Sequence, residues 1–340
     1  MLDPALGSVR LTGWLRARPY SDTLAVIIHG LGGSADSRYM LRTAKAAHDA
    51  GLSYLRLNMR GADRSGEDLY HAGLTQDLRA VLASPDLAPY SRVFVIGYSL
   101  GGHVALRWAS EPGRDPRVCA VAAVCAPLDL AYGARTIQRP LGRPYQWYCM
   151  RGLKAMYRAA AARRPVPVPV EHVMAMGTVL EWDRAIVAPR FGFASREAPT
   201  TKRPARARGS ARSSCRRSSS RRELDPMVTA DQIRPWLEIA SPAVEVAWTE
   251  RGGHGLPRRS RSGARRRRAA RAPDHALARS LLTTARSARR AWGRRGGSRA
   301  SSPVSRRRSG CGRAIGRRDR CPRWPPHWQS MNIGATGRVS

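Results

Sequence analysis

Short apolar runs alternate with amphipathic segments along the first 130 residues. The runs are almost continuously apolar, as expected for strands of a parallel sheet that is covered on both faces. The segments between them have helical spacing and end near glycine or serine. The pattern therefore predicts an α/β fold with a mostly parallel sheet and helices on both faces. The predicted strands are TLAVIIHG, SYLRLNMRG, RVFVIG and RVCAVAAVCAP, and the predicted helices are SADSRYMLRTAKAAHDAG, LTQDLRAVLAS and SLGGHVALRWAS.

The alternation stops after residue 130 and returns after residue 224. Residues 131–195 contain one long helical segment, YQWYCMRGLKAMYRAAAARR, and then a proline-rich break. This composition predicts a helical cap inserted over the sheet rather than a further strand–helix unit. The next predicted helix and strand, TADQIRPWLEIA and AVEVAWTE, restore the first pattern. The predicted folded segments are a first core part, 1–130, the cap, 131–195, and a second core part, 225–255.

The net charge of +36 over 340 residues is concentrated in two blocks. Residues 196–224 hold 10 Lys+Arg against 2 Asp+Glu, and residues 256–340 hold 24 against 2. Both blocks have far fewer Leu, Ile, Val and Phe than the roughly 20 % that a folding chain needs. The sequence therefore predicts Arg-rich disordered blocks on either side of residues 225–255.

The stretch GYSLG, Gly97 to Gly101, lies between a predicted strand and a predicted helix. This is the context of a G-x-S-x-G nucleophile turn, in which tight geometry requires glycine at Gly97 and Gly101. The turn lifts the Ser99 hydroxyl above the sheet, and the helix N-terminus favours developing negative charge. We expect Ser99 to be a nucleophile. The alternative is a glycine-rich turn with an incidental serine.

A serine hydroxyl is a weak nucleophile and needs an oriented base. His254 follows a predicted strand in a glycine-rich loop, and Asp225 precedes the helix before that strand. In this arrangement Asp225 would accept from one ring nitrogen of His254, and the other nitrogen would take the Ser99 proton. Asp129 is the rival acid, because an aspartate before proline, such as Asp225, is often only a turn former or helix cap.

The stretch HGLGGS follows the first predicted strand and predicts an oxyanion hole. Its glycines would turn the Leu31 N–H towards the site, where it would act together with the Leu100 N–H. A glycine loop that merely closes the strand is the alternative. His29 and His103 lie beside these motifs, and we expect them to pack rather than react.

Taken together, residues 23–195 and 225–255 resemble the α/β-hydrolase superfamily, and within it the YheT-like (AB hydrolase-4) group. The resemblance implies an α/β-hydrolase fold with a cap and a serine hydrolase without metal or cofactor. It also implies a triad of Ser99, Asp225 and His254 acting on small-molecule or lipid esters, as carboxylesterases and acylglycerol lipases do. Thioesterases and amidases use the same parts. The motifs that carry the resemblance are HGLGGS, RLNMRG, GYSLGG, APLDL, EWDRAIVAPRFGFAS, DPMV and GGHG.

The two Arg-rich blocks depart from the pattern of that group. In it, an apolar strand precedes the acid and a final helix follows the histidine, but residues 196–224 and 256–340 offer neither. Arg outnumbers Lys by 57 to 3, as in GC-rich genes, which yield mainly Arg, Ala, Gly, Pro and Ser in a wrong frame. We interpret both blocks as out-of-frame translation. We expect the strand before Asp225 to be absent and the chain as written to be poorly soluble or nearly inactive.

A competing interpretation is that the blocks are genuine disordered arms that bind RNA or DNA by neutralising phosphates. They have few aromatic residues for base stacking and no recognition module, so no specific nucleic-acid partner is expected.

The remaining features predict no cofactor, no metal and a cytoplasmic protein. The six cysteines form no CxxC pair. No apolar run reaches the roughly 18 residues of a membrane span, and the start, MLDPALGSVR, does not have the form of a signal peptide.

Overall fold

The computed structural model describes residues 2–3, 7–193, 216–222, 225–240, 243–249, 254 and 329–333. Its strands are β1 (Leu2–Asp3), β2 (Gly7–Ser8), β3 (Leu11–Arg16), β4 (Thr23–Ile28), β5 (Ser53–Asn58), β6 (Arg92–Tyr98), β7 (Val118–Val124), β8 (Arg216–Arg222), β9 (Val244–Thr249) and β10 (Gln329–Ile333). Its α-helices are α1 (Arg38–Asp49), α2 (Thr75–Leu82), α3 (Leu100–Ser110), α4 (Leu130–Thr136), α5 (Arg143–Ala161), α6 (Val170–Ala175), α7 (Val179–Trp182), α8 (Ala188–Arg190) and α9 (Ala230–Glu238). A π-helical turn, Asp183–Val187, joins α7 to α8.

Eight of these strands form one sheet in the order β10–β3–β5–β4–β6–β7–β8–β9. Six neighbouring strands, β5, β4, β6, β7, β8 and β9, are parallel to one another. Strands β3 and β10 are antiparallel at the edge beside β5. The predicted, mostly parallel sheet is confirmed. Strand β3 was not predicted from the sequence.

Both faces of the sheet are covered, which explains why its inner strands are apolar throughout. In β4, Leu24, Val26 and Ile28 belong to a core cluster that includes residues of α2 and α3. Ala25 and Ile27 belong to a second cluster with residues of α1. Successive residues of a strand point to opposite faces, so a doubly covered strand needs apolar residues at every position.

The structure corrects one expectation about the Arg-rich blocks. A strand before Asp225 was expected to be absent, but β8 lies between β7 and β9 and pairs with both in parallel. Such pairing uses backbone N–H and C=O groups, so it does not depend on an apolar sequence. In the tail, β10 pairs with β3. Strands β8 and β10 are the described parts of the two blocks, and the other residues of both blocks lie outside the described residues.

The described chain between β7 and β8 is helical, as predicted for the cap. Helix α5 packs directly on the loop that follows β4. A Cβ atom on Gly152 of α5 would collide with Gly32 of that loop, and one on Gly32 would collide with the backbone of Cys149. The cap therefore touches the carboxyl end of the sheet at a point where there is no room for a side chain.

A buried charge cluster joins the cap to the core. The Asp68 carboxylate, which has no exposed surface, accepts hydrogen bonds from Arg60 at 3.0 Å, Arg164 at 3.1 Å and Arg190 at 2.7 Å. Arg60 also binds Asp77 at 2.9 Å. Arg164 follows α5 and Arg190 ends α8, so one carboxylate holds both ends of the cap.

We expect Asp68→Asn to lower the free energy of unfolding by about 3–5 kcal/mol, because it removes the charge of the fully buried carboxylate that three guanidinium groups share. Urea unfolding followed by circular dichroism measures the change. The neighbouring Glu67 pairs with Arg10 at the partly exposed surface, so Glu67→Gln should cost no more than about 1 kcal/mol. Equal losses in the two variants would contradict the role of the buried cluster.

Candidate active site

The residues singled out in the sequence follow the carboxyl ends of neighbouring parallel strands, the usual place for sites in such sheets. Ser99 follows β6, Asp225 follows β8 and His254 follows β9. The glycine loop that begins at His29 follows β4. The sheet order β4–β6–β7–β8–β9 makes these positions neighbours along one edge.

Ser99 has a backbone conformation that non-glycine residues rarely adopt, with φ of 49° and ψ of −116°. Its N–H donates to the Val124 carbonyl oxygen at 2.8 Å, which ties the turn to β7. A Cβ on Gly97 would collide with Gly101, and a Cβ on Gly101 would collide with the His29 carbonyl oxygen. Both glycines are therefore needed for the strand to turn into α3 so sharply.

Two tyrosines, the partly buried Tyr39 and the buried Tyr70, hold the glycine loop in place. The Gly30 N–H donates to the Tyr39 hydroxyl at 3.0 Å, and the Gly32 N–H donates to the Tyr70 hydroxyl at 2.7 Å. Burial raises the pKa of both phenols, so they stay neutral. A Cβ on Gly30 would lie only 3.1 Å from the Ser99 Cβ. The loop is thus fixed in contact with the serine turn.

The predicted oxyanion donors lie beside Ser99. Among the described residues, the Leu31 N–H donates to no group, whereas its loop neighbours Gly30, Gly32 and Gly33 all have acceptors. Leu100 is the first residue of α3, so its N–H has no partner within the helix. Both groups are available to a ligand oxygen.

Asp225 and His254 are hydrogen-bonded to each other. His254 Nδ1 lies 2.8 Å from Asp225 Oδ2 and 3.1 Å from Oδ1. The Asp225 side chain is 1 % exposed and that of His254 is 10 % exposed. The N–H groups of Met227 and Val228 also donate to Asp225 Oδ1, at 2.9 and 3.0 Å. The described residues therefore include the acid–histidine contact, although the sequence analysis expected the strand before the acid to be missing.

The protonation of this pair follows from its partners. Burial alone would raise the pKa of the Asp225 carboxyl, but the hydrogen bond and charge of His254 and the two backbone N–H groups outweigh it. The pKa is therefore below its usual value, and Asp225 is a carboxylate at neutral pH. A carboxylate only accepts hydrogen bonds, so His254 Nδ1 carries the proton and its Nε2 is the basic nitrogen.

Asp129, the rival acid, has a different role. It precedes α4 as its N-cap, and its Oδ1 accepts a hydrogen bond from the Tyr132 N–H at 2.9 Å. Its backbone oxygen accepts a hydrogen bond from Gln232 at 2.6 Å. Asp129 therefore acts as a helix cap, and the carboxylate in contact with His254 belongs to Asp225.

The two other histidines near the motifs are buried and neutral. His29 Nδ1 donates to the Gly30 carbonyl oxygen, while its Nε2 accepts from the Met59 N–H. His103 Nδ1 donates to the Pro127 carbonyl oxygen. Burial lowers the pKa of both rings to about 4. Both histidines pack in the interior and form hydrogen bonds with neighbouring backbone groups, as expected.

Two neighbours of the pair were missed in the sequence. The Tyr145 ring of α5 meets the His254 ring edge-on at 5.8 Å. Cys125, buried and at φ of 51°, brings its Sγ, the Asp225 carboxylate and a His254 ring nitrogen within 4.8 Å of one another. Such a trio could hold a metal ion, but an ion would have to displace the bond between Asp225 and His254.

A serine on a strained turn between a parallel strand and a helix, with its partners after later strands, defines the α/β-hydrolase class. Comparison with known proteins agrees. The family model for the alpha/beta hydrolase fold matches residues 25–149. The YheT protein of Escherichia coli (strain K12), named as a candidate esterase, is 30 % identical over 240 residues, covering 67 % of this chain and 68 % of YheT.

Two more distant similarities were also found. The phospholipase ABHD3 of Bos taurus is 23 % identical over 178 residues, which cover 49 % of this chain and 42 % of that protein. The solved structure of the esterase Pf2001 of Pyrococcus furiosus is 19 % identical, covers 73 % of this chain and 83 % of its own, and has a TM-score of 0.46. The chain belongs to the α/β-hydrolase family, in its YheT-like group of esterase- and lipase-type members.

None of the helices in the described part of the chain combines the length and the apolar character that a membrane crossing requires.

Proposed function

We propose that this chain hydrolyses carboxylic esters, with Ser99 as nucleophile, His254 as general base and Asp225 as the group that orients His254. The observation that carries the proposal is the 2.8 Å contact between Asp225 and His254 Nδ1, at the same sheet edge as the strained Ser99 turn. These residue types at this edge are the parts that acyl transfer through serine needs.

In the first half of the reaction, Ser99 Oγ bonds to the ester carbonyl carbon while its proton passes to His254 Nε2. The imidazolium that forms is stabilised by the Asp225 carboxylate. When the tetrahedral intermediate collapses, the bond to the alcohol oxygen breaks and His254 returns the proton to that oxygen. The products are an acyl-Ser99 ester and the free alcohol.

The negative charge on the carbonyl oxygen is assigned to the N–H groups of Leu31 and Leu100. One such donor typically contributes about 10²–10³ to the rate, because it is held in place before the charge develops. Tyr39 and Tyr70 maintain the position of the loop that carries Leu31.

In the second half, water replaces the alcohol. His254 Nε2 takes a proton from the water, and the hydroxyl oxygen bonds to the acyl carbon. When the second intermediate collapses, the bond between the acyl carbon and Ser99 Oγ breaks, His254 returns the proton to Oγ, and the carboxylic acid is released. Side chains and backbone groups handle every proton and charge in this scheme. It therefore needs no metal or cofactor.

The leaving group of the substrate is the less specific part of the proposal. Carboxylic esters are favoured because relatives of this chain are named as an esterase and as a phospholipase. Thioesters and amides would react with the same groups, so a substrate panel with matched acyl chains decides between them. A preference of more than about tenfold for the thioester would assign a thioesterase and would leave the triad intact.

A fluorophosphonate probe tests the nucleophile directly. Ser99 Oγ forms a bond to phosphorus and fluoride leaves, so we expect one adduct on the peptide that contains Ser99, detected by mass spectrometry. Ser99→Ala should abolish labelling, and Ser110→Ala, at the other end of α3, should not. An unlabelled but folded wild-type protein, or labelling that persists in Ser99→Ala, would refute the proposal.

A further inference from the structure

The cap carries an exposed apolar and basic patch, here called the cap surface. It consists of Leu141, Arg143, Trp147, Tyr148 and Arg151, on α5 and the turn before it. Leu141 is 77 % exposed, Trp147 is 64 % exposed and Tyr148 is 39 % exposed. Three of the six exposed large hydrophobic residues of the described chain therefore lie within eight positions of one another.

The exposure follows from the helical spacing of α5. Residues three or four positions apart share a face of a helix, and Arg143, Trp147 and Arg151 are spaced in this way. The opposite face buries Cys149, Met150, Leu153 and Met156 in the core. Helix α5 therefore packs on the core through other residues and does not need the apolar residues of the cap surface for this.

The net charge of residues 130–170, which include α4 and α5, differs from that of the core residues before them. Residues 1–129 hold 14 Lys+Arg and 12 Asp+Glu, whereas residues 130–170 hold 8 and none. The Arg151 guanidinium lies 5.1 Å from the centre of the Trp147 ring, so cation and aromatic ring are adjacent. Helix α5 and the turn before it, which carry the cap surface, contain no Asp or Glu.

We propose that the cap surface docks on the anionic surface of a lipid bilayer. Tryptophan and tyrosine favour the boundary between headgroups and acyl chains because their rings are amphipathic. Arginine binds lipid phosphates there, and leucine enters the apolar layer. Exposed Leu141 favours this partner over nucleic acid, which offers stacking and phosphates but no apolar phase for an aliphatic side chain.

Helix α5 carries the cap surface on one side and a contact to the candidate active site on another. Tyr145, in contact with His254, is two residues from Trp147, so the two rings project from nearly opposite sides of the helix. If the proposed esterase function holds, docking would hold the helix that contacts the site at the bilayer, the source of lipid esters for Ser99. The binding itself does not depend on that function, and it can be measured with Ser99→Ala protein.

The test is co-sedimentation of the full-length protein with vesicles of phosphatidylcholine containing phosphatidylglycerol. The variant Leu141→Ala/Trp147→Ala should lower the apparent affinity by at least about tenfold, because two apolar anchors are lost. The matched control is Tyr20→Ala/Leu41→Ala, which removes an aromatic residue and a leucine that are 104 % and 43 % exposed away from the cap. The control should stay within about twofold of wild type.

The Arg-rich blocks can also bind anionic vesicles by charge alone, and this contribution falls steeply with salt. Equal affinities of the two variants at every salt concentration would therefore overturn the proposal. So would an equal loss of binding to a DNA duplex in Leu141→Ala/Trp147→Ala, because the patch would then recognise polyanions. Hydrolysis of a soluble short-chain ester, measured in parallel, should be unchanged in this variant, so a failure of the esterase assignment remains distinguishable from a failure of docking.

Discussion

Ser99→Ala should lower kcat/KM for a p-nitrophenyl ester by about 10⁴–10⁶-fold, the largest effect expected of any substitution in this chain. Without the hydroxyl no acyl-enzyme can form, and the hydrogen-bond donors of the oxyanion loop then act only on attack by water. Initial rates of p-nitrophenyl butyrate hydrolysis by purified protein measure the change. Circular dichroism must show that the variant folds like wild type.

Asp225 and Asp129 provide a matched comparison for the acid. Asp225→Asn should cost about 10⁴-fold in kcat, because an amide in this position no longer favours the required tautomer of His254. Asp129→Asn should leave kcat within about threefold and should act mainly on stability, since Asp129 caps α4. The reverse outcome would move the acid to Asp129. Combining Ser99→Ala with Asp225→Asn should cost little more than Ser99→Ala alone.

The second large effect is expected at β8. Replacing Arg216–Arg222 with an apolar, β-branched sequence should raise the free energy of unfolding by at least about 3 kcal/mol. Strand β8 is an interior strand of a parallel sheet, a position where apolar residues are normal because both faces are covered. Its own sequence is four arginines and three serines. Soluble yield and the urea midpoint measure the gain.

A control for charge is available in the tail. Replacing Arg265–Arg268 with valine removes the same number of positive charges outside the described residues. If both replacements stabilise the protein equally, the gain reflects net charge and not the strand.

The gene provides an independent test of the hypothesis that both Arg-rich blocks are out-of-frame translation. Resequencing it and reading all three frames across codons 190–340 should reveal an apolar strand before Asp225 and an amphipathic helix after His254. If no frame supplies these elements, the Arg-rich segments are genuine, and nucleic-acid binding becomes the function to test.

Much of the fold was predictable because its inner strands are covered on both faces and are therefore apolar at nearly every position. The apolar runs of β4 to β7 and the tight turn around Ser99 depend on local sequence, which is sufficient to predict them. Strand β8 was not predicted because residues 196–224 are rich in arginine and poor in apolar side chains. Pairing between parallel strands uses backbone groups, which do not depend on that composition. Strand β3 was missed because LTGWLR has polar and glycine positions among its apolar ones.

The parts that depend on distant residues could not be predicted. Asp68 and Arg190 are separated by 122 positions, and nothing local distinguishes either from an exposed charge. The same holds for Tyr70, whose hydroxyl supports the Gly32 N–H. The spacing of Asp225 and His254 indicated a pair, but their contact depends on how β8 and β9 end. Whether these residues perform catalysis stays a prediction until the variants are assayed.

The conformation of Ser99 has an evolutionary consequence. A non-glycine residue at φ of 49° and ψ of −116° typically costs about 1–3 kcal/mol, and glycine would adopt the turn without that strain. Folding alone therefore favours glycine at position 99. In a lineage where catalysis no longer mattered, drift towards glycine would improve stability, so a serine kept there across related genes would be a record of selection for chemistry and not for the fold.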